Sequence, residues 1–242
     1  IIRPRPQFNE STYQYDIFGR LIKAINQFET LGFSYSNTGG FDDNTSWPYK
    51  FKYDPHTDKW APKNMPSSIE GRKFKYDGGG YLRESPGKKY LWNESGQLSS
   101  VRKGDSVTTY YYTGENERIK KVDKEGVTHY FEELYKCVNS RCQSYVYANG
   151  KLIANQQPDK RWFYYHIDQN GSPIFIIDSN KKIKYKINYR PYGEEIHSHL
   201  PGELTRRFIA SEYDVSAGLI KLGARYYDPS IGLFISPDPI LN

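Results

Sequence analysis

Two cysteines are the first side chains in this sequence whose type and spacing could do chemistry. Cys137 and Cys142 lie in YKCVNSRCQSY, between segments rich in aromatic and β-branched residues, so they could bridge a β-hairpin. A disulfide there would imply an oxidising compartment. The alternative is a pair of free thiols at a loop. A zinc site is disfavoured because two further ligands at metal spacing are missing nearby.

A second candidate for chemistry is the segment EEIHSHL. On a strand, His197 and His199 would share one face as metal ligands, with Glu194 and Glu195 beside them. A solvated loop is the better interpretation, because residues 191–203 contain two prolines and show no alternation. We therefore predict no metal and no cofactor.

Binding of nucleic acid and common hydrolytic motifs find little support in the sequence. The strand-like KKIKYKI places Lys182, Lys184 and Lys186 on one face, which could contact single-stranded nucleic acid but reads better as a solvated strand face. No G-x-S-x-G, no H-E-x-x-H and no phosphate-cradling glycine loop occurs. We therefore expect no nucleic-acid partner and no hydrolase, metalloprotease or nucleotide-binding chemistry.

The strands that position these residues must obtain most of their buried apolar surface from aromatic rings. The chain has 242 residues, a net charge of +6, 37% hydrophobic residues and 16% aromatic residues, including 23 tyrosines. Rings bury about 150–250 Å² each and favour strands, so they can form a core where aliphatic residues are few. No apolar run approaches the roughly 18 residues of a membrane-spanning helix. Because the chain begins at Ile1, we expect it to be a piece of a longer protein.

An internal repeat organises the first half of the sequence. An aromatic-x-Tyr strand is followed by a polar turn and a return strand, and the copies are YQYDIFGRLIKA, FKYDPHTDKW, FKYDGGGYLRES, YLWNESGQLSSV and YYYTGENERIKKV. In four of the five copies Asp or Asn after the last ring begins the turn, and Gly19, Gly79 and Gly96 could supply positive φ. Asn149-Gly150 predicts a two-residue hairpin loop in the second half. The predicted fold is all-β, with consecutive β-hairpins in an extended, curved or spiralling sheet.

These copies resemble the YD repeats of the RHS (rearrangement hotspot) family, and YQYDIFGRL at residues 13–21 fits the pattern throughout. The segment RFIASEYDVSAGLIKLGARYYDPSIGLFISPDP resembles the RHS-associated core. Its matching residues are Arg207, Phe208, Tyr213, Asp214, Gly218, Leu219, Ala224, Arg225, Tyr226, Tyr227, Asp228, Pro229, Gly232, Phe234, Asp238 and Pro239. The likeness covers nearly the whole chain from about Tyr13.

The resemblance implies a sheet that spirals into a hollow shell, as in bacterial toxin-complex and polymorphic-toxin members and in teneurins. In bacterial members the shell encloses a variable C-terminal toxin, and in many the core segment is an aspartyl autoprotease. Asp238 would take part in that reaction, with Arg225 a weaker candidate. The sequence departs from the pattern at Leu233 and lacks the glycine after Pro239, and an aspartyl mechanism needs a second carboxyl.

Three functional hypotheses follow from the sequence and the resemblance. The leading one is a non-catalytic, secreted or cell-surface shell and cap that encloses a C-terminal toxin, its partners being that cargo or other shell segments. The second is a YD-repeat adhesion module for a glycan or a cell-surface receptor, and the third is an autoprotease completed by sequence beyond Asn242. The predicted organisation is a lead-in at residues 1–12, YD-repeat hairpins at 13–125, further hairpins with the cysteine loop at 126–203 and the core segment at 204–242.

Overall fold

A computed structural model of the chain describes residues 11–36, 39–42, 45, 50–53, 65–196 and 198–238. The chain divides into two compact units, Ile1–Gly80 and Tyr81–Asn242. Within the described residues the regular structure is all-β apart from one single-turn 3-10 helix. None of the helical structure there is long and apolar enough to cross a membrane.

The first unit contains short antiparallel strands around a small aromatic core. Its strands are β1 (Thr12–Tyr15), β2 (Leu21–Ile25), β3 (Thr30–Gly32), β4 (Phe51–Lys52), β5 (Ser68–Ile69), β6 (Arg72–Lys73) and β7 (Lys75–Tyr76). The ring of Phe41 packs 6.1 Å from that of Phe33 and 5.1 Å from that of Phe51. Phe74 and Tyr76 are buried and Lys75 is exposed, which is the alternation that the repeat predicts.

The second unit is dominated by one antiparallel sheet in which β8 to β19 lie side by side in chain order. Its strands are β8 (Leu82–Ser85), β9 (Lys88–Trp92), β10 (Leu98–Lys103), β11 (Ser106–Tyr112), β12 (Arg118–Asp123), β13 (Gly126–Phe131), β14 (Tyr135–Val138), β15 (Arg141–Ala148), β16 (Lys151–Gln156), β17 (Trp162–Ile167), β18 (Pro173–Asp178) and β19 (Ile183–Lys186). Each strand therefore pairs with the next one along the chain, as consecutive hairpins require.

The rest of the second unit packs on one side of this sheet. It contains β20 (Asn188–Tyr189), β21 (Glu195–Ile196), a turn of 3-10 helix at Phe208–Ala210, β22 (Glu212–Asp214), β23 (Leu219–Leu222), β24 (Arg225–Asp228) and β25 (Leu233–Phe234). Strands β22 to β25 form a small antiparallel sheet of their own. We call residues 204–238 the C-terminal segment, and the sheet face against which it packs the covered face.

The two faces of the large sheet differ in what they expose. Facing positions on neighbouring strands place the following side chains on the covered face: Tyr90, Val101, Tyr110, Lys121, Tyr130, Lys136, Gln143, Tyr145, Phe163, Tyr165 and Ile176. The residues next to them point the other way, and several large ones are exposed there: Leu91, Tyr111, Phe131, Tyr135, Val146 and Tyr164. We call that side the open face.

Most turns follow the predicted chemistry, with two corrections. The Asp16 carboxylate accepts hydrogen bonds from the backbone N–H groups of Phe18 and Arg20, and Asn149 and Gly150 both have positive φ, as their hairpin loop demands. In the Asp77 turn, however, Gly80 rather than Gly79 takes positive φ.

The second correction concerns residues 191–203. They are not a loop throughout, because Glu195–Ile196 pairs with Asn188–Tyr189 as a short two-stranded ladder. Two residue pairs form that ladder, which is too short to produce the alternation from which strands are predicted.

Candidate functional site

The candidate site is the covered face of the sheet together with the C-terminal segment. Strand β22 reads Glu-Tyr-Asp, and because side chains alternate along a strand, Glu212 and Asp214 project to the same side, toward the sheet. Both carboxylates are buried, at 7% and 2% exposure. Buried carboxylates are stable only when they are paired and hydrogen-bonded, so their partners define the site.

Glu212 is held by cations and by a hydroxyl. Its carboxylate lies 2.8 Å from Lys136 Nζ of β14, accepts a hydrogen bond of 2.8 Å from Thr205 Oγ1 and lies 3.8 Å from Arg206. Burial alone would raise the pKa of Glu212, but the charges of Lys136, Arg206 and Arg118 outweigh it and lower that pKa from 4.5 to about 2. Glu212 therefore stays ionised through mildly acidic pH.

Asp214 contacts side chains of two neighbouring strands of the sheet, β11 and β12. Tyr110 donates its hydroxyl hydrogen to one carboxylate oxygen at 2.7 Å, and Lys121 Nζ lies 3.3 Å from the other. Lys121 also pairs with Asp123 at 2.8 Å, and Ser216 donates to Asp123 at 2.6 Å. Burial and the negative charge of Asp214 raise the pKa of Tyr110 well above its usual value, so this phenol remains a donor.

A third carboxylate of the segment reaches the first strands of the sheet. Asp228 lies 3.1 Å from Lys88 Nζ of β9, and its other oxygen accepts hydrogen bonds from the backbone and hydroxyl of Ser230. The sequence suggests only a turn at Asp228 that Pro229 continues, and the structure adds the long-range ion pair. We use the name polar clamp for Lys88, Arg118, Lys121 and Lys136 of the sheet with Glu212, Asp214 and Asp228 of the segment.

Arg118 contributes to the clamp through rings rather than carboxylates. Its guanidinium lies 4.1 Å from the centre of the Tyr130 ring and donates a hydrogen bond of 3.3 Å to the hydroxyl of Tyr226. Tyr112 donates to the same hydroxyl at 3.1 Å. Arg118 is only 9% exposed, so these contacts replace the water that its charge would otherwise hold.

The second part of the covered face is apolar. Tyr145, Leu152, Phe163, Tyr165, Ile176, Ile187 and Leu204 form one buried group, which we call the apolar cluster. Leu204 belongs to the C-terminal segment and the others belong to the sheet or to the residue after it. The segment is thus held at both ends of the covered face, by an apolar contact at Leu204 and by ions further along.

The residues of the core motif serve mainly as the framework of β23 to β25. Leu219, Tyr226, Tyr227, Asp228 and Pro229 are buried, whereas Ala224 is exposed in a turn. Gly218 and Gly232 have φ of 68° at turns, and the ring of Phe234 packs 5.3 Å from that of Tyr227.

The two residues named for autoproteolysis lie together. Arg225 pairs with Asp238 at 3.0 Å and covers the ring of Phe234 at 3.7 Å. An aspartyl mechanism needs two carboxyls that share a proton, whereas Arg225 brings a guanidinium to the Asp238 carboxylate. Pro239 lies outside the described residues.

The other candidate residues lie in the β14–β15 hairpin and around the short β20–β21 ladder. Cys137 and Cys142 lie opposite each other in β14 and β15 and are joined by a disulfide, next to the open face. Glu194 pairs with Arg190 and Glu195 with Arg207, and His197 lies outside the described residues. No group of three or more metal-ligating side chains occurs in the described ranges.

Sequence reasoning missed the sheet half of the polar clamp. The available signal was a charged residue at a position that faces the core. In these strands buried and exposed residues alternate, and the charged residues at or next to buried positions are Lys88, Arg118, Lys121 and Lys136. Reading that signal requires the register of each strand, which a bulge can shift by one residue. Such a shift occurs between Tyr111, which pairs with Lys120, and Tyr112, which pairs with Arg118.

A cleft of about 870 Å³ lies beside the clamp, at one end of the sheet. It is lined by the turns that follow β10, β12, β14 and β16 and, on its other side, by residues from the range 202–216. Its walls are mostly polar, with Gln143, Gln157 and Tyr130 among the uncharged groups.

Comparisons with known proteins agree on one family. The family model described as the teneurin YD-shell matches residues 5–241. The chain is 32% identical over 192 residues to the tRNA3(Ser)-specific nuclease WapA of Bacillus spizizenii, covering 73% of this chain and 8% of that protein. It is 24% identical over 268 residues to human teneurin-4, covering 94% of this chain and 10% of teneurin-4.

A solved structure of TcdB2-TccC3 superposes with a TM-score of 0.63 at 18% identity, covering 98% of this chain and 16% of that chain. The chain therefore matches a small part of each of these longer proteins.

Proposed function

This chain belongs to the YD-shell family, and from that premise we propose that it forms part of the wall of a β-shell and closes it with its C-terminal segment. The shell would enclose a C-terminal toxin or effector of the same protein, and the chain itself would be non-catalytic. The observation that carries this proposal is the polar clamp, in which three buried carboxylates of the segment each meet a cation of the sheet.

The clamp suits a closing element because its pairs are costly to separate. Removing one partner from a buried pair leaves an uncompensated charge, at a cost of about 3–5 kcal/mol. Ion pairs and hydrogen bonds are also directional, so they fix where the segment lies along the sheet. An apolar contact alone would hold the segment without fixing that position.

The nature of the cargo rests on the relatives. One relative carries a nuclease activity in its name, but the match covers 8% of that protein, so no nuclease activity is proposed for this chain. We propose that a toxin or effector lies in sequence that follows the segment. We also propose a secreted or cell-surface location, because the Cys137–Cys142 disulfide persists in oxidising compartments. Thiol labelling of the protein isolated from its native source tests the location, and free thiols would contradict it.

The experiment for the shell proposal uses the protein made from its full-length gene. Intact mass is measured before and after limited proteolysis, in the parent and in Glu212→Gln. We expect a C-terminal portion that resists added protease in the parent. In Glu212→Gln it should become sensitive, because the segment no longer forms its ion pair with Lys136. Glu94→Gln, at an exposed turn residue, is the matched control and should behave like the parent.

Two outcomes would overturn parts of the proposal. A C-terminal portion that is digested equally in the parent and in Glu212→Gln would contradict enclosure. A cut near the end of the segment that disappears in Asp238→Asn would contradict the non-catalytic assignment and support self-cleavage.

A surface-binding role is the second candidate, favoured by a row of side chains on the open face. Phe131 and Tyr135 face each other, and the row continues through Ser144 and Gln156 to Trp162. Phe131 is 55% exposed and packs edge-on against Tyr135 at 6.0 Å. Exposed rings can stack on sugars or pack against a receptor. A glycan array probed with the chain and with Phe131→Ala tests this role, and identical, empty arrays would exclude glycans.

A further inference from the structure

The cleft borders Lys121, Lys136 and Glu212 of the polar clamp and continues beyond them along the sheet as an elongated site. The turns after β10, β12, β14 and β16 all lie at the same end of the antiparallel sheet, and each contributes to one wall. Neighbouring strands lie about 4.8 Å apart, so the seven steps from β10 to β17 extend over roughly 30 Å. A trough of that length and about 870 Å³ suits an extended chain better than a compact small molecule.

A buried amide without a partner points to a ligand. Gln157 lines the cleft and is only 3% exposed, yet its Nε2 has no hydrogen-bond partner. A buried donor left unpaired is unfavourable, and such groups are rare in folded proteins. The terminal torsion of a glutamine side chain is soft, so this amide can turn toward an acceptor in the cleft.

The charges around the cleft also favour a ligand that carries hydrogen-bond acceptors. Four of the five carboxylates that line it, Asp123, Glu125, Asp159 and Glu212, already have a lysine or arginine partner inside the chain, and within the described residues Glu203 is the one that has none. Lys103 and Arg141 lie at the mouth, in different turns of the same wall, and neither has an ion-pair partner within the part of the chain that the structure describes. The groups that remain for a ligand are therefore mainly donors and positive charges.

We propose that this cleft binds an extended peptide segment that carries acidic side chains. Gln157 would donate to a backbone carbonyl of the peptide, while Lys103 and Arg141 would meet its carboxylates. Single-stranded nucleic acid fits less well, because such sites combine a strongly positive groove with several stacking rings. Here Tyr130 is the ring that lines the cleft, and carboxylates are interspersed with the cations.

The test measures peptide binding to the full chain. The probe is a fluorescein-labelled peptide of alternating glutamate and serine, about ten residues long, which at roughly 3.3 Å per residue spans the trough. A peptide with lysine in place of glutamate is the probe control. We expect the acidic peptide to bind in fluorescence anisotropy and the basic peptide not to bind.

Two glutamine variants distinguish a ligand-binding role from a structural one. Gln157→Leu should weaken binding about tenfold, since one hydrogen bond to a charged or carbonyl acceptor has an effect of that size. Its melting temperature should stay the same or rise, because the amide makes no hydrogen bond in the folded chain through Nε2. Gln169→Leu, in the exposed turn after β17 at the other end of the sheet, should bind like the parent.

Three results would overturn the proposal. One is the absence of binding by the acidic peptide, and another is Gln157→Leu binding as tightly as Gln169→Leu. The third is displacement of the peptide by a short oligothymidylate at equal or lower concentration, which would assign the cleft to nucleic acid. None of these results bears on the clamp, so this proposal and the shell proposal can fail separately.

Discussion

The covered face holds its C-terminal segment in two chemically different ways along one sheet. Over β15 to β18 the contact is the apolar cluster, where Leu204 packs among sheet residues such as Leu152 and Phe163. Over β9 to β14 the contact is the polar clamp, where Lys136–Glu212 and Lys88–Asp228 are buried ion pairs. The C-terminal segment therefore packs on the sheet through buried apolar surface at one end and through ion pairs and hydrogen bonds at the other.

The difference shows what each kind of contact can specify. Apolar burial contributes in proportion to area and tolerates shifts of a residue or two. A buried ion pair contributes little net stability. However, any arrangement of the segment that separates the two charges is strongly destabilised. We infer that the apolar cluster supplies most of the adhesion of the segment and that the polar clamp sets its position.

Removing a clamp carboxylate should produce the largest loss. In Glu212→Ala the ammonium of Lys136 and the guanidinium of Arg206 stay buried without their shared counter-charge. We expect the free energy of unfolding in urea to fall by about 3–5 kcal/mol. Glu94→Ala, in an exposed turn, should change it by less than about 0.5 kcal/mol. Equal effects of the two substitutions would break the comparison.

Truncating the centre of the apolar cluster should cost somewhat less. Leu152 is fully buried, and Leu152→Ala removes its apolar contacts and leaves a cavity. We expect a loss of about 3 kcal/mol, measured in the same urea titration. Ile153→Ala, at a residue that is 41% exposed, is the matched control and should cost under about 1 kcal/mol. A Leu152→Ala effect as small as that of its control would remove the cluster from the account.

The two regions should respond differently to acid. The pKa of Glu212 is about 2 in the folded chain against 4.5 unfolded, so its contribution is present above pH 4.5 and is lost as pH falls toward 2. Between pH 7 and pH 3 this group should account for a loss of about 2 kcal/mol. That loss should disappear in Glu212→Gln and persist in Leu152→Ala. An unchanged pH profile in Glu212→Gln would assign the acid sensitivity to other carboxylates.

The smallest effect is expected at the turn that connects the two regions. Ile209 and Ala210 have φ of 47° and 52°, in the left-handed region that costs L-residues about 1 kcal/mol each. Ala210→Gly should therefore raise the free energy of unfolding by up to about 1 kcal/mol. Ala154→Gly, in the middle of β16, should lower it. Destabilisation by both substitutions would mean that the turn is not strained.

The hairpin architecture could be predicted from the sequence because its causes are local. The ring-x-Tyr alternation and turn pairs such as Asn149-Gly150 act over a few residues, and the structure follows them. The family of the chain was also readable from its repeats. Two local features were not predicted: the positive φ at Gly80 in place of Gly79, and the short ladder at Glu195–Ile196. Neighbouring glycines and two-residue strands produce no distinct sequence pattern.

The polar clamp could not be predicted because its partners are far apart in the chain. Lys136 and Glu212 are separated by 76 residues, and Lys88 and Asp228 by 140. Alternation indicates that a lysine faces inward but not which carboxylate it meets. Asp214 was recognised only as part of a motif, and its contact with Tyr110 depends on how the segment folds back over the sheet.

Hydrogen exchange tests most directly the claim that the segment and the sheet form one cooperative unit. In the parent, the amides of β22 and β24 should exchange as slowly as those of β12 and β16, because opening the segment requires separating buried charges. In Lys136→Met, the amides of β22 should exchange faster while those of β16 to β18 keep their protection. Parent amides in β22 and β24 that exchange as fast as exposed turns would contradict the account.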